Sequence, residues 1–357
     1  MNAYLSPLHA LEAGRWFKLI CGASFQHLPA VRNLALAYSL AGADCVDVAA
    51  DPAAIAAAHS GLEAAQVLGA GKRLPWLMAS LNDGEDPHFR KAEFDPEHCP
   101  PDCPRPCAVI CPAAAIPRDR PGGVEAARCY GCGRCLPVCP LQLIRSRSYT
   151  TAPAAIAPLL RDSPLDALEI HTHIGNLAGF RRLWAAIAPW SQRLKLLSIS
   201  CPDGAGLAAY LRAIAATLAD FPGLLIWQTD GRPMSGDLGR GATRAAVRLA
   251  QQVLALSLPG YVQPAGGTNA YTASKLTALG LLVPPRTGGI GGIAYGSAAR
   301  SPLTPYLDAL EDRWLADADA DSPKLENCPD LLAHAITAAQ ALVTSLKGQP
   351  EFATSVD

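Results

Sequence analysis

LKLLSIS (194–200), CPDGAG (201–206), LAAYLRAIAATL (207–218), ADFP (219–222) and GLLIWQ (223–228) follow one another without a break. The first and last are near-continuous apolar runs, and the middle stretch carries apolar residues at three- and four-residue steps. Together they read as strand, helix and strand, with Pro-Gly as the stop after the helix. Strands that are apolar at almost every position suit a parallel sheet covered on both faces.

The same unit recurs in both directions. Further strands are expected at FKLICGA (17–23), CVDVA (45–49), PWLMASL (75–81), ALEIH (167–171), GYVQ (260–263) and GIGGIA (289–294). Helical spacing fills 28–40, 53–68, 177–187, 242–256 and 271–278 between them. Eight consecutive right-handed βα units close a (β/α)8 barrel, and the length outside one cysteine-rich segment is roughly the 250 residues typical of that fold. An open doubly wound sheet is the competing architecture.

The 357 residues are 50% hydrophobic with a net charge of −1, enough to bury a large core. Only 17% are charged, against about 25% on average, with no run of like charge to capture nucleic acid. No apolar stretch reaches the roughly 18 residues of a membrane span, and MNAYLSPLHALEAGRW lacks the pattern of a signal peptide. A cytoplasmic protein is expected.

Composition shifts after Asn82-Asp83-Gly84, where Pro and Cys become dense, and shifts back after Tyr149. The expected division is 1–84 as the first part of the barrel, 85–148 as an inserted module, 149–310 as the rest of the barrel, and 311–357 as a C-terminal loop and helix. In that last segment ADADADSPKLENC (316–328) reads as a solvated loop and 331–346 as an amphipathic helix with a packing role. Because the insertion follows the third strand, it is expected over the face of the barrel where active sites are built.

Of twelve cysteines, eight fall between Cys99 and Cys139, too local for a disulfide framework. CYGCGRCLPVCP places Cys129, Cys132, Cys135 and Cys139 in C-x2-C-x2-C-x3-C-P spacing. Gly131 and Gly133 let the backbone approach a cluster and donate amide hydrogen bonds to it. A zinc site is the competing reading, but zinc ribbons show two separated C-x2-C pairs. Upstream, Cys99, Cys103, Cys107 and Cys111 form C-x3-C-x3-C-x3-C-P, whose first two spacings each exceed the pattern by one residue. This module resembles bacterial two-cluster ferredoxins. The resemblance implies two 4Fe-4S clusters whose fourth ligands cross over, one held by Cys99, Cys103, Cys107 and Cys139, the other by Cys111, Cys129, Cys132 and Cys135. Arg118, Arg120, Arg128, Arg134, Arg145 and Arg147 surround it, either favouring the reduced clusters or serving as ordinary surface residues.

On the barrel, Gly266, Gly267 and Thr268 follow the seventh strand, and Gly296 and Ser297 the eighth. These loops could cradle a phosphate, such as that of flavin mononucleotide (FMN), through backbone amides, or could simply be turns. His171, His173, Cys201, Asp230 and Arg232 stand at other strand ends. The histidines suit ligand binding, proton transfer or a structural hydrogen bond, and make a weak metal site without a third ligand. Cys201 reads as a proton donor or as a small buried apolar residue, and Cys21, Cys45 and Cys328 as the latter. Lys18 and Lys195 lie near strand starts, on the stabilising face, and receive no catalytic role.

With IWQTDGRPMSGDLG (226–239) and GGTNAYTASKL (266–276) added to the cysteine module, the whole chain resembles the light-dependent period (LdpA) family of cyanobacteria. That resemblance implies an iron-sulfur protein that senses redox state and passes light information to the circadian clock through an input kinase and the Kai proteins. An FMN-dependent oxidoreductase whose clusters relay electrons to the barrel is the alternative. In that reading a small redox protein or a quinone is the electron partner.

Overall fold

The computed structural model describes residues 6–70, 73–111, 113–118, 122–231, 242–316 and 323–348. The apolar runs form β1 (Trp16–Ile20), β2 (Cys45–Ala49), β3 (Trp76–Asn82), β6 (Ala167–His171), β7 (Leu196–Pro202), β8 (Leu224–Asp230), β9 (Tyr261–Ala265) and β10 (Gly292–Tyr295). Between β3 and β6 lie β4 (Arg90–Glu93) and β5 (Arg145–Ser148), which pair antiparallel as a separate ribbon. The eight others form one parallel sheet in the order β10-β1-β2-β3-β6-β7-β8-β9. The Gly291 amide donates to the Val262 carbonyl at 2.8 Å, and the Gly291 carbonyl accepts from the Trp16 amide at 3.1 Å, bringing the two edges together. The result is a nearly closed eight-stranded barrel with helices around it.

α1 (Pro7–Glu12) precedes the barrel, and α2 (Leu28–Ala41), α3 (Pro52–Ala65), α6 (Ile156–Asp162), α7 (Leu177–Ile187), α8 (Leu207–Thr217), α9 (Ala242–Leu254) and α10 (Thr272–Ala278) follow strands or the insertion. Short α4 (Pro106–Ile110) and α5 (Cys135–Val138) belong to the insertion, and α11 (Ser297–Arg300), α12 (Thr304–Ala316) and α13 (Pro329–Lys347) complete the chain. Asp51 starts α3 by accepting from the amides of Ala53 and Ala54 at 2.9 and 3.0 Å, with Pro52 in the first turn where its missing N–H costs nothing. Gly42 ends α2 at φ 99°, a left-handed conformation that glycine adopts without strain. Helices α1, α4, α5, α6, α11 and α12 go beyond the expected set; a proline inside α6 and mixed charge along α12 blur the periodicity of those two. β7 and β8 end two residues later than expected, because Cys201 still pairs with Thr229 and Pro202 with Asp230 whatever their polarity.

Alternate strand residues point into the barrel and stack in layers. At the floor, Trp16, Cys45, Met78, Ala167, Leu196 and Ile226 form an apolar plug completed by Leu11 of α1. Two residues further along come Lys18, Asp47, Ser80, Glu169, Ser198 and Gln228, all buried and polar. Above them Asn82, His171, Ser200 and Asp230 form a third layer at the mouth. Lys18 therefore departs from its expected place: it is the third residue of β1, fully enclosed inside the barrel. Lys195 does lie outside, paired with Asp166.

Candidate functional site

The insertion leaves β3 through Asn82, whose buried amide holds both of its ends. Asn82 Nδ2 donates to the carbonyls of Gly84 at 2.8 Å and Tyr149 at 2.7 Å, while Oδ1 accepts from the Thr151 amide at 2.8 Å. The β4–β5 ribbon then opens into a small core of its own, built on Ala92, Ala108, Ala115, Ile116 and Ile144 together with Cys107, Cys129 and Cys135.

Cys111, Cys129, Cys132 and Cys135 line one small cavity, with Gly131 and Gly133 in its wall. Backbone amides already point at two of the sulfurs, Ala92 N to Cys129 Sγ at 3.4 Å and Ala115 N to Cys111 Sγ at 3.3 Å. Gly131 has φ 72°, and a Cβ there would sit 2.1 Å from the Arg90 carbonyl oxygen, so only glycine fits this loop. Burial, and then the neighbouring Cys132, Cys129 and Cys111, push the Cys135 thiol up to about 12. The other thiols form a second neighbourhood: burial and then Cys103 raise Cys99, while Cys107 is raised by burial and by Cys139 among its neighbours. Cys139 itself is lowered, because the amides of Leu143, Leu141, Ile144 and Gln142 outweigh the effect of burial. Thiols crowded at this separation repel one another as thiolates, and a bound cation removes that repulsion.

Arg128 joins the module to α12 through Glu311. Tyr130 lies 4.4 Å from the Arg300 guanidinium, which donates to the carbonyls of Ile20 and Cys21 at 3.1 and 2.9 Å. Of the other arginines, Arg118 donates to the carbonyls of Ala108 and Val109 near the end of α4, and Arg147 lies across from Glu93. Arg145 is exposed, and Arg120 lies outside the described residues.

Inside the barrel, Lys18 Nζ contacts Glu169, Asp47 Oδ2 at 3.0 Å and Gln228 Oε1 at 3.0 Å. Ser80 donates to Asp47, Ser198 to Glu169 and Gln263 to Gln228. Burial opposes the charge on Lys18, but Asp47 and Glu169 outweigh it and hold its pKa above the usual lysine range. Burial pushes Asp47 up to about 6 even though Lys18 opposes the shift. At the mouth His171 Nε2 lies 3.0 Å from Glu169 Oε1, and Asp86 and Glu169 together overcome burial to raise its pKa well above the usual value.

His173 faces the insertion instead, its ring beside Gly84. Ser200 donates to Asp230, while Arg232 lies outside the described residues. Cys201, Cys21 and Cys45 are buried, but Cys328, at the residue before α13, is only partly so. Thr268 Oγ1, in the loop after β9, donates to the Ala294 carbonyl inside β10. Gly266 and Gly267 have φ 55° and 103°, and Gly296 and Ser297 open α11. Sequence reasoning missed Asp86, His88 and the ionic layer. The layer had a signal, a charged residue at the centre of three apolar strands, whereas nothing in local spacing ties Asp86-x-His88 to His171.

An α/β barrel with a cysteine-rich insertion that gathers thiols around one cavity defines a class, the barrel proteins that carry an iron-sulfur-binding module. Residues 99–150 match the LdpA Fe-S cluster-binding domain and residues 159–345 the light dependent period A C-terminal domain. Light dependent period A of Synechococcus elongatus is 52% identical over 341 residues, covering 96% of this chain and 94% of that protein. The chain belongs to the light dependent period A family. Among solved structures, the apo homocysteine methyltransferase of Escherichia coli covers 82% of this chain and 94% of its own at 15% identity and a TM-score of 0.42. A tryptophan synthase structure from M. tuberculosis covers 97% and 99% at 13% identity and a TM-score of 0.43. Similarity at that level carries no argument, and the barrel rests on its own strand ladder. Among the described residues no helix is long and apolar enough to cross a membrane.

Proposed function

We propose that this protein senses cellular redox state with two 4Fe-4S clusters and passes that state to the circadian clock through an input kinase and the Kai proteins. The observation that carries the reading is the sorting of the thiols. Cys111 shares one cavity with Cys129, Cys132 and Cys135, while Cys139 neighbours Cys107, the crossed arrangement of two-cluster ferredoxins. Clusters of this kind store one electron at a time. The chain's own residues then do two things. The Ala92 and Ala115 amides stabilise negative charge on the sulfurs, and Tyr130, stacked on Arg300, ties the cysteine loop to the carbonyls that end β1. A change of charge on the module would reach the barrel through this contact, the coupling a two-state response requires.

Anaerobically purified protein is expected to hold about eight iron and eight sulfide per chain. Cys132→Ser should damage one cluster and Cys139→Ser the other, and loss of the same spectroscopic signal in both would refute the crossing. Equal partner affinity in oxidised, reduced and cluster-free protein would refute the sensor.

An FMN-dependent oxidoreductase is the second reading, favoured by the Thr268–Ala294 bond that ties the β9 loop to β10 two residues before Gly296. Flavin bands in the anaerobic visible spectrum, lost in a bulky Gly267 variant that keeps its iron, are its expected signature. Absence of flavin together with no saturable FMN binding returns these glycines to turn formation.

A further inference from the structure

At the barrel mouth, three side chains from two distant parts of the chain meet outside the cysteine module. Asp86 and His88 stand where the insertion leaves the barrel, and His171 ends β6. Each offers a ligand atom within 4.8 Å of the others. His88 Nδ1 lies 2.8 Å from Asp86 Oδ1, and His171 Nδ1 lies 3.7 Å from that same oxygen. These are the separations of neighbouring ligands around one cation bound at about 2.0–2.2 Å.

The independent observation is His171. Its side chain is only 6% exposed and its Nδ1 has no hydrogen-bond partner, an expensive condition for a buried polar atom. Its other nitrogen is occupied, since Glu169 Oε1 lies 3.0 Å from Nε2. A carboxylate behind a histidine is the arrangement that fixes the ring and aims its free nitrogen at a metal. Here Glu169 is itself held by Lys18, Ser198 and Gln228, so the ring is anchored to the ionic layer. His88 is 27% exposed and gives access from solvent.

We propose that Asp86, His88 and His171 form a mononuclear site for a divalent transition metal, separate from the cysteines. Two imidazoles and one carboxylate suit zinc or ferrous iron and leave at least one coordination position open. The site does not depend on what the cysteines hold. It does tie the root of the insertion to the barrel, because two ligands come from the one and the third from the other.

The test uses the full chain purified anaerobically with its iron in place. Zinc is added, and zinc and iron are counted separately after equilibrium dialysis. One zinc per chain is expected with no loss of iron. His88→Ala and Asp86→Asn should each weaken zinc binding at least tenfold while iron content and the visible spectrum stay unchanged, and Asn preserves the cap that Asp86 provides to the His88 amide. No saturable zinc binding, zinc gained only as iron is lost, or wild-type affinity in both variants would overturn the site.

Discussion

In the barrel, Lys18 meets Asp47, Glu169 and Gln228 within an enclosed layer where nearly every charge has an opposite neighbour. In the insertion, thiols stand beside thiols, short helices α4 and α5 replace long ones, and the apolar core includes the cysteines themselves. The first region pairs the charges of this layer with its own residues, whereas the second needs something the chain does not supply. Thus a barrel folds on packing and internal pairing, while a small thiol-rich module derives much of its stability from bound metal.

The largest effect should come from removing iron. Chelation under reducing conditions is expected to expose 85–148 to proteolysis and rapid amide exchange while the barrel strands stay protected. Simultaneous loss of both regions would show that the comparison is wrong and that one cooperative unit spans them.

Next comes the barrel's own weak point. Lys18→Met leaves Asp47 and Glu169 facing each other without their shared cation, and breaking a buried pair this way costs about 3–5 kcal/mol. The denaturation midpoint of the barrel should fall while iron per chain is unchanged. Loss of iron in proportion would mean that the ionic layer also supports the module.

A smaller effect belongs to the joint between them. Asn82→Ala deprives the Thr151 amide and the carbonyls of Gly84 and Tyr149 of their partner, at a cost of about 1–3 kcal/mol. Faster exchange confined to 83–89 and 149–151, with the clusters retained, is the expected pattern.

Much of this was legible beforehand for identifiable reasons. β2 and β6 have the expected bounds because their apolar runs are bracketed by polar and turn residues, and the cysteine runs carry their spacing in one stretch of chain. The ionic layer was missed because a lone lysine in FKLICGA gives no clue to the side on which it points until the strand's neighbours are known. Asp86 and His88 were missed as partners of His171 because β3 and β6 become adjacent only when the barrel forms across the insertion. The C-terminal helix, expected only to pack, also carries a charge inward: Lys347 Nζ lies 2.6 Å from Asp44 Oδ2.

That last contact yields the smallest and most specific prediction, since it asks whether the barrel or the module controls stability in mild alkali. Burial lowers Lys347 to about 8, with Arg73 adding to the shift and Asp44 opposing it. A lysine depressed below its unfolded value of about 10.4 binds fewer protons in the folded state between those two values, so stability must rise with pH across that window. From pH 8 to pH 9 the gain is about 1 kcal/mol for a shift of this size. Lys347→Met retains the Arg73 contact with Asp44 and should flatten the slope in cluster-loaded protein. A slope that persists in the variant would assign the alkaline response to the thiols of the insertion, and a flat wild-type profile would mean that Lys347 keeps an ordinary pKa.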